Sequence, residues 1–426
     1  MVQKQKNTIA IIIISLYTIT LLLCLYIFGY TPYPDSNGYI SLAKECIELN
    51  TFYPQNLTDI PFLWNVGAIN AVTLSLYLFN SITPLLVLYT LMQGAMAWLI
   101  FAVVQRIFNK KVAYISLFLF VLYPANYGYG TSVLSEVPFI FFSLLALLLL
   151  LKNHYLWSGI CFAMANYVRP MAIIFIVSAI LFMIYKRENI RRFILLFIGY
   201  FMITCSIGVT NYFTKGKYFT QGAMGWMGLM QYSWDHDSNQ EEDYHLFSNN
   251  DPNIIDESWN YDCLQRDSVW RSHFFKWLPA NKGEYIKQMP AKVMRTYISD
   301  NVNFCTFLPN KGNREYMYEE LSMSNLTQDF PNWTHVQILT IANLAYYYLL
   351  LLLGILGIGK LLKKRDFHYL IIPLSTIITS TALLMLVGHG EARFHQPFMP
   401  MFIMLAAYFI TKTQTSIQHG KRNNTK

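Results

Sequence analysis

The chain has 426 residues, of which 54% are hydrophobic, 16% aromatic and only 13% charged, with a mean hydropathy of +0.32. An ordinary soluble domain carries about 25% charged residues, so this composition excludes a disordered chain, a secreted disulfide scaffold and a typical cytosolic enzyme, and leaves a multi-span membrane protein. The net charge of +8 would point to nucleic acid only if the basic residues shared one soluble face, and they are scattered between apolar segments.

A span needs about 20 mostly apolar residues. In chain order, segments 8–28, 84–107, 112–126, 133–151, 155–168, 171–185, 192–213, 336–359, 368–388 and 394–411 read as spans, which predicts an all-α membrane protein with about ten transmembrane helices. The third, fifth and sixth are short, so broken or re-entrant helices stay open there. The bulky Tyr26, Phe28, Tyr30 and Tyr33 after the first segment do not suit a signal-peptide cleavage site, and the segment is expected to stay as an anchor.

Two regions are not simple spans. In the first, 31–83, Tyr39, Ala43, Cys46 and Ile47 fall near one face of a helix over 36–49, with Lys44, Glu45 and Glu48 on the other, and 61–79 reads as a second interfacial or buried helix. The second, 214–335, is rich in Asp, Asn, Trp and Tyr, with stretches such as Glu284–Phe304 that look helical. The organisation expected is a membrane module over 1–213, a small, mainly helical extracytoplasmic domain over 214–335, and further spans with a cytoplasmic tail over 336–426.

Charge placement tests the count, because cytoplasmic loops collect Lys and Arg. With both termini inside, the inner segments carry 18 bases against two acids, the short outer segments carry three bases, and 214–335 carries 11 bases against 16 acids. The basic excess is therefore a topology signal, and nucleic acid is not expected as a partner.

Six cysteines are present with no CxxC or Cys/His metal spacing, and a Cys263–Cys305 disulfide stays open. No P-loop, strand-linked GxGxxG, HExxH or GxSxG occurs. What remains is a set of ionisable groups at the outer membrane edge: Asp35 just past the first span, Glu136 in `TSVLSEVPF`, Arg169 in `NYVRP`, and His389, Glu391, Arg393 and His395 in `GHGEARFHQPFMP`. Each has a plain structural explanation. Asp35 suits a helix cap, Glu136 an interfacial position, Arg169 a snorkelling side chain, and 389–395 a polar turn. Charges at membrane depth are costly and usually functional, and four distant segments placing theirs at one depth on one side argues against all four explanations together.

These stretches, with `YPDSNGYISLAKECIE`, `LSEVPFIFFSLLALLLLL`, `YVRPMAIIF` and `GHGEARFHQPFMPMFIMLAAY` taken in order, resemble the GT-C superfamily of integral-membrane glycosyltransferases. The likeness is closest to the bacterial branch with protein O-mannosyltransferase-like and aminoarabinose-transferase-like enzymes. It covers roughly 8–213 and 336–411, and 214–335 is not part of it. Many of these families carry a paired Asp-Glu in the first outer loop, whereas here the pair is Asp35-Ser36, and Glu136 is the candidate for the second carboxylate.

The resemblance implies transfer of a sugar from a polyprenyl-phosphate-linked donor to a glycan, lipid or protein acceptor on the outer face of a bacterial cell membrane. Asp35 would be the general base, with Glu136 beside it as the second catalytic carboxylate. Arg169, Arg393 and His389 would hold the donor phosphate, and Glu391 and His395 would orient them or bind a sugar hydroxyl. The many Trp and Tyr of 214–335 are candidates to stack on sugar rings, or to anchor at the interface. No cofactor is required by this scheme. A divalent metal held by Asp35 and Glu136 stays open, as some relatives use one. The rival readings are a transporter or lipid flippase, which would place its ionisable groups near the bilayer midplane and show inverted repeats, and a non-catalytic scaffold, which leaves the edge cluster unexplained.

Overall fold

The computed structural model describes residues 2–54, 65–222, 226, 229, 262–311, 321–387 and 390–423. Among these, every regular element is helical. Helix α1 (Val2–Phe28) is followed by α2 (Pro34–Glu48) and α3 (Val66–Phe79) in the first loop, then by α4 (Thr83–Ile107) and α5 (Lys110–Val121). A pair of 3₁₀ turns over Pro124–Thr131 leads to α6 (Glu136–Leu151), α7 (Tyr155–Val168), α8 (Ile173–Tyr185) and α9 (Ile190–Lys215). Segment 214–335 contributes α10 (Cys263–Tyr297), a 3₁₀ turn over Val302–Phe307 and the short α11 (Met323–Gln328). The chain closes with α12 (His335–Lys364), α13 (Phe367–Val387), a 3₁₀ turn over Ala392–Phe398 and α14 (Met399–Asn423).

Helices occupy all ten segments expected to span. Five described helices are long and apolar enough to cross a bilayer: Thr8–Phe28 of α1, α4, α9, α12 and Phe367–Leu386 of α13. A sixth candidate is α5 with the following 3₁₀ turns, bent by 64°. The bend falls where the residue before Pro124 is pushed out of the helical region, Tyr123 being extended at φ −75°, ψ 109°. Helices α3, α6 and α8 are apolar but shorter. The chain is thus an integral, multi-pass membrane protein. Its lipid-facing helices keep Ile11, Leu16 and Ile19 of α1 and Ile194, Ile198 and Phe201 of α9 exposed, whereas α6 is buried on most of its circumference, as an all-round apolar helix should be. Helices α7 and α9 touch backbone to backbone. A Cβ on Gly159 would lie 2.0 Å from the Leu196 carbonyl oxygen and one on Gly199 2.1 Å from that of Leu156, so this contact needs the small residues that let membrane helices approach closely.

The helix expected over 36–49 begins two residues earlier, at Pro34, whose fixed φ suits the first helical turn. Its buried face is Ser36, Tyr39, Leu42, Ala43 and Cys46. Within 214–335, the stretch expected to be helical over Glu284–Phe304 belongs to the longer α10, which ends at Tyr297 and kinks at Asn281, two residues after Pro279. Trp270, Phe274, Trp277 and Tyr285 of α10 recur on one face and pack into a satellite core of their own. The rings of Trp270 and Trp277 are buried there and do not offer the free faces a sugar would stack on. Cys263 and Cys305 are both buried and both free, so no disulfide joins them.

Candidate active site

The start of the first loop runs beside the segment before α6. The Thr31 amide donates to the Thr131 carbonyl at 2.9 Å, and the Ser36 hydroxyl donates to the Val133 carbonyl at 3.0 Å. The buried hydroxyls of Thr31, Thr131 and Thr306 close a triangle with sides of 2.9–3.2 Å. These contacts set the first turn of α2, with Asp35, against the first turn of α6, with Glu136. The N-cap of α2 is Tyr33, and no side chain caps the helix. Asp35 instead turns outward to Arg393, with its Oδ2 2.8 Å from Nη1. The cap explanation for this residue therefore fails.

Arg169 ends α7 because a residue preceding proline is disfavoured in the helical region, and it is extended at φ −147°, ψ 126°. This turn aims its guanidinium at α6. Arg169 Nη1 lies 2.8 Å from Glu136 Oε1 and donates to the Ser135 hydroxyl at 3.0 Å. Glu136 sits in the first turn of α6, where the helix dipole favours a carboxylate, and its side chain is 1% exposed. Removing one partner of such a buried pair costs about 3–5 kcal/mol, because the other charge is left uncompensated.

The third contributor is the turn before α14. Gly390 is left-handed at φ +79°, and a Cβ there would lie 2.4 Å from the Lys292 carbonyl oxygen, so both backbone conformation and space demand glycine. The 3₁₀ turn that follows presents Arg393, whose Nε is 2.8 Å from Glu391 Oε1 while Nη1 reaches Asp35. Burial opposes the charge on Arg393, but Asp35, Glu391 and Glu136 around it hold the guanidinium well above its ordinary pKa range. The Phe394 ring links the two ion-paired groups, with its centroid 5.4 Å from the Arg169 guanidinium carbon and 5.8 Å from that of Arg393.

Of the seven residues singled out in the sequence, Asp35, Glu136, Arg169, Glu391 and Arg393 form this one charged patch. His389 lies outside the described residues. His395 turns away from the patch. It is fully buried, with Nδ1 2.7 Å from the Thr296 carbonyl oxygen and Nε2 3.2 Å from Asp300 Oδ1, so its bonds go to segment 214–335 and it has no exposed surface for a sugar. Phe394, Ser135 and Asp300 are site neighbours that sequence reasoning missed. Phe394 was visible inside the `GHGEARFHQPF` stretch, whereas nothing distinguishes Asp300 among the 16 acids of 214–335.

Within the patch, exposure separates the carboxylates. The Asp35 side chain is 28% exposed, that of Glu136 1%. A proton acceptor must be reachable, and Asp35 is. Asp35 and Glu136 each engage a guanidinium, and among the described residues no three His, Cys, Asp or Glu side chains come together to hold an ion.

Residues 67–210 match the family model for dolichyl-phosphate-mannose-protein mannosyltransferase. The matched third of the chain runs from α3 to α9 and contains both members of the Glu136–Arg169 pair. Asp35, Glu391 and Arg393 fall outside it. No curated protein matches the chain.

Proposed function

We propose that the protein is a GT-C-type membrane glycosyltransferase that moves a hexosyl or pentosyl group from a polyprenyl-phosphate donor to an acceptor hydroxyl on the outer face of a bacterial cell membrane. The observation that carries this reading is the patch itself. An accessible carboxylate, Asp35, stands 2.8 Å from Arg393, which is joined through one aromatic ring to a second arginine. The match to the mannosyltransferase family model supports the same chemistry from an independent part of the chain.

In this reaction the acceptor oxygen attacks C1 of the sugar as Asp35 takes its proton, and the bond from C1 to the phosphate oxygen breaks. The electron pair leaves with the polyprenyl phosphate. Charge therefore builds on the phosphate, where fixed cations stabilise it most. Arg393 faces Asp35 through Nη1 and Glu391 through Nε, each at 2.8 Å, and its remaining Nη2 would meet a phosphate oxygen. Glu391 fixes the plane of that guanidinium, and Glu136 does the same for Arg169 from below the accessible surface. The lipid tail lies among the apolar helix faces. The acceptor is a glycan, lipid or protein hydroxyl, and the branch closest in character is the protein O-mannosyltransferase-like and aminoarabinose-transferase-like one.

The test is incubation of membranes carrying the protein with labelled polyprenyl-phosphate sugars, mannose first, followed by extraction of lipid, glycan and protein fractions. Labelled product dependent on the protein is expected, and none with any donor would defeat the reading. The chemistry also requires a sidedness, with 214–335 outside and both termini inside, as the distribution of bases demands. Reporter fusions at Asn250 and Asn423 should therefore read outside and inside respectively. An inside signal at Asn250 would move the patch to the wrong face.

A further inference from the structure

The buried His395–Asp300 contact lies next to the patch but has no part in the transfer just described. Asp300 is 3% exposed and comes from segment 214–335, which the family match does not reach. Its carboxylate is a hub for three separated parts of the membrane module. Tyr123, at the α5 bend, donates its hydroxyl to Oδ2, and Asn343 of α12 donates to the same oxygen at 3.1 Å. His395, in the turn that presents Arg393, meets Oδ1 at 3.2 Å.

The same turn is gripped by the end of α10. His395 Nδ1 faces the Thr296 carbonyl oxygen at 2.7 Å, the Tyr297 ring stacks on the imidazole, and Gly390 lies against the Lys292 backbone. Tyr347 of α12 packs on the ring as well, at 4.8 Å between centroids, and donates its hydroxyl to the Tyr297 carbonyl at 2.9 Å. Arg393 is two residues from His395 and three from Gly390. Its position is thus tied, through His395 and Gly390, to groups of 214–335.

We infer that Asp300 is a positioning residue: through His395 it locks the Ala392–Phe398 turn and so places Arg393 against Asp35 and the donor phosphate. The inference rests on the proposed transfer for its functional consequence, but the lock is measurable without any reaction. A displacement of about 1 Å in a positioned group costs about 10²-fold in rate, so loosening this turn should matter even though Asp300 touches no substrate.

Two substitutions in the full-length protein divide the possibilities. Asp300→Ala removes the acceptor shared by Tyr123, Asn343 and His395. Asp300→Asn keeps the shape of the group: the amide oxygen accepts from Tyr123 and Asn343, and the amide nitrogen takes the place of Oδ1 against His395 Nε2. Two readouts are taken on each. The first is limited trypsin cleavage after Arg393, compared with cleavage after the buried Arg266 of α10 as a gauge of general loosening. The second is kcat/KM for polyprenyl-phosphate mannose.

Asp300→Ala should speed cleavage after Arg393 by about tenfold or more relative to Arg266 and lower kcat/KM by about 10²-fold, while Asp300→Asn stays near wild type in both. Unchanged cleavage after Arg393 in Asp300→Ala, or an equal rise at both arginines, would overturn the inference. If the Ala variant does not accumulate, His395→Phe keeps the ring stacking, drops both ring bonds and is held to the same two criteria. If the turn opens in Asp300→Ala while Arg393→Ala keeps full transfer, the lock is real and the phosphate-site reading is what fails.

Discussion

Asp35→Asn should reach the membrane at the wild-type level and transfer sugar about 10²–10⁴-fold more slowly, the usual contribution of a general base. Asparagine matches aspartate in size and retains an oxygen for Arg393, and α2 does not depend on this side chain because its N-cap is Tyr33 and no side-chain cap is present. What asparagine lacks is the ability to accept a proton at neutral pH. Asp35→Glu should also be impaired, by about 10²-fold, since one methylene moves the carboxylate by about 1 Å. The measurement is labelled-sugar transfer normalised to protein in the membrane. Full activity in Asp35→Asn would transfer the base role to Glu391, the other partly exposed carboxylate of the patch, because Glu136 is sealed beneath it.

Arg393→Ala should abolish transfer, with a loss of about 10²–10³-fold or more, the range for removing a fixed donor to a developing oxyanion. Arg393→Lys should recover only part of it. Arginine reaches Asp35 and Glu391 from different nitrogens of one plane and still offers Nη2, whereas an ammonium is a point charge without that fork. Membrane levels should fall little in either variant, because Asp35 and Glu391 are 28% and 22% exposed and can be hydrated when their partner is gone. Arg169→Ala makes a useful contrast, since it strands the buried Glu136 and should lower the level itself. A fully active Arg393→Lys enzyme would rule out a directional phosphate contact, and absence of Arg393→Ala from the membrane would make the residue structural.

Much of this arrangement is legible in the sequence, for physical reasons that differ from part to part. Helix α7 occupies the 155–168 stretch expected of it, because His154 and the Arg169–Pro170 step both interrupt an apolar run. The charged patch is legible because ionisable groups at the membrane edge are rare, so five of them on four segments stand out against 54% hydrophobic residues. Segment 214–335 reads poorly for the opposite reason. Asp300 is one acid among many, and only the fold reveals that it is buried against Tyr123, Asn343 and His395. The aromatic residues of α10 were open to two meanings by composition alone. Their spacing at 270, 274 and 277 carried the better clue, since it places them on one helical face that packs into its own core. His395 shows the limit of neighbourhood in sequence: two residues from Arg393, it faces the other way.

The pairing of Asp35 with Arg393 joins the first loop to the turn before α14, two stretches far apart along the chain. Asp35 enters the membrane surface with the first helices, and Glu136 is sealed by Arg169 within the same half of the chain. Arg393 follows much later, in the turn before α14, bringing Glu391 and the Phe394 ring with it. A ribosome-bound chain therefore holds a carboxylate without its counter-ion until α14 is being inserted. Under the proposed transfer, a chain that stops before this turn would carry the Asp35 carboxylate without the cation that faces it.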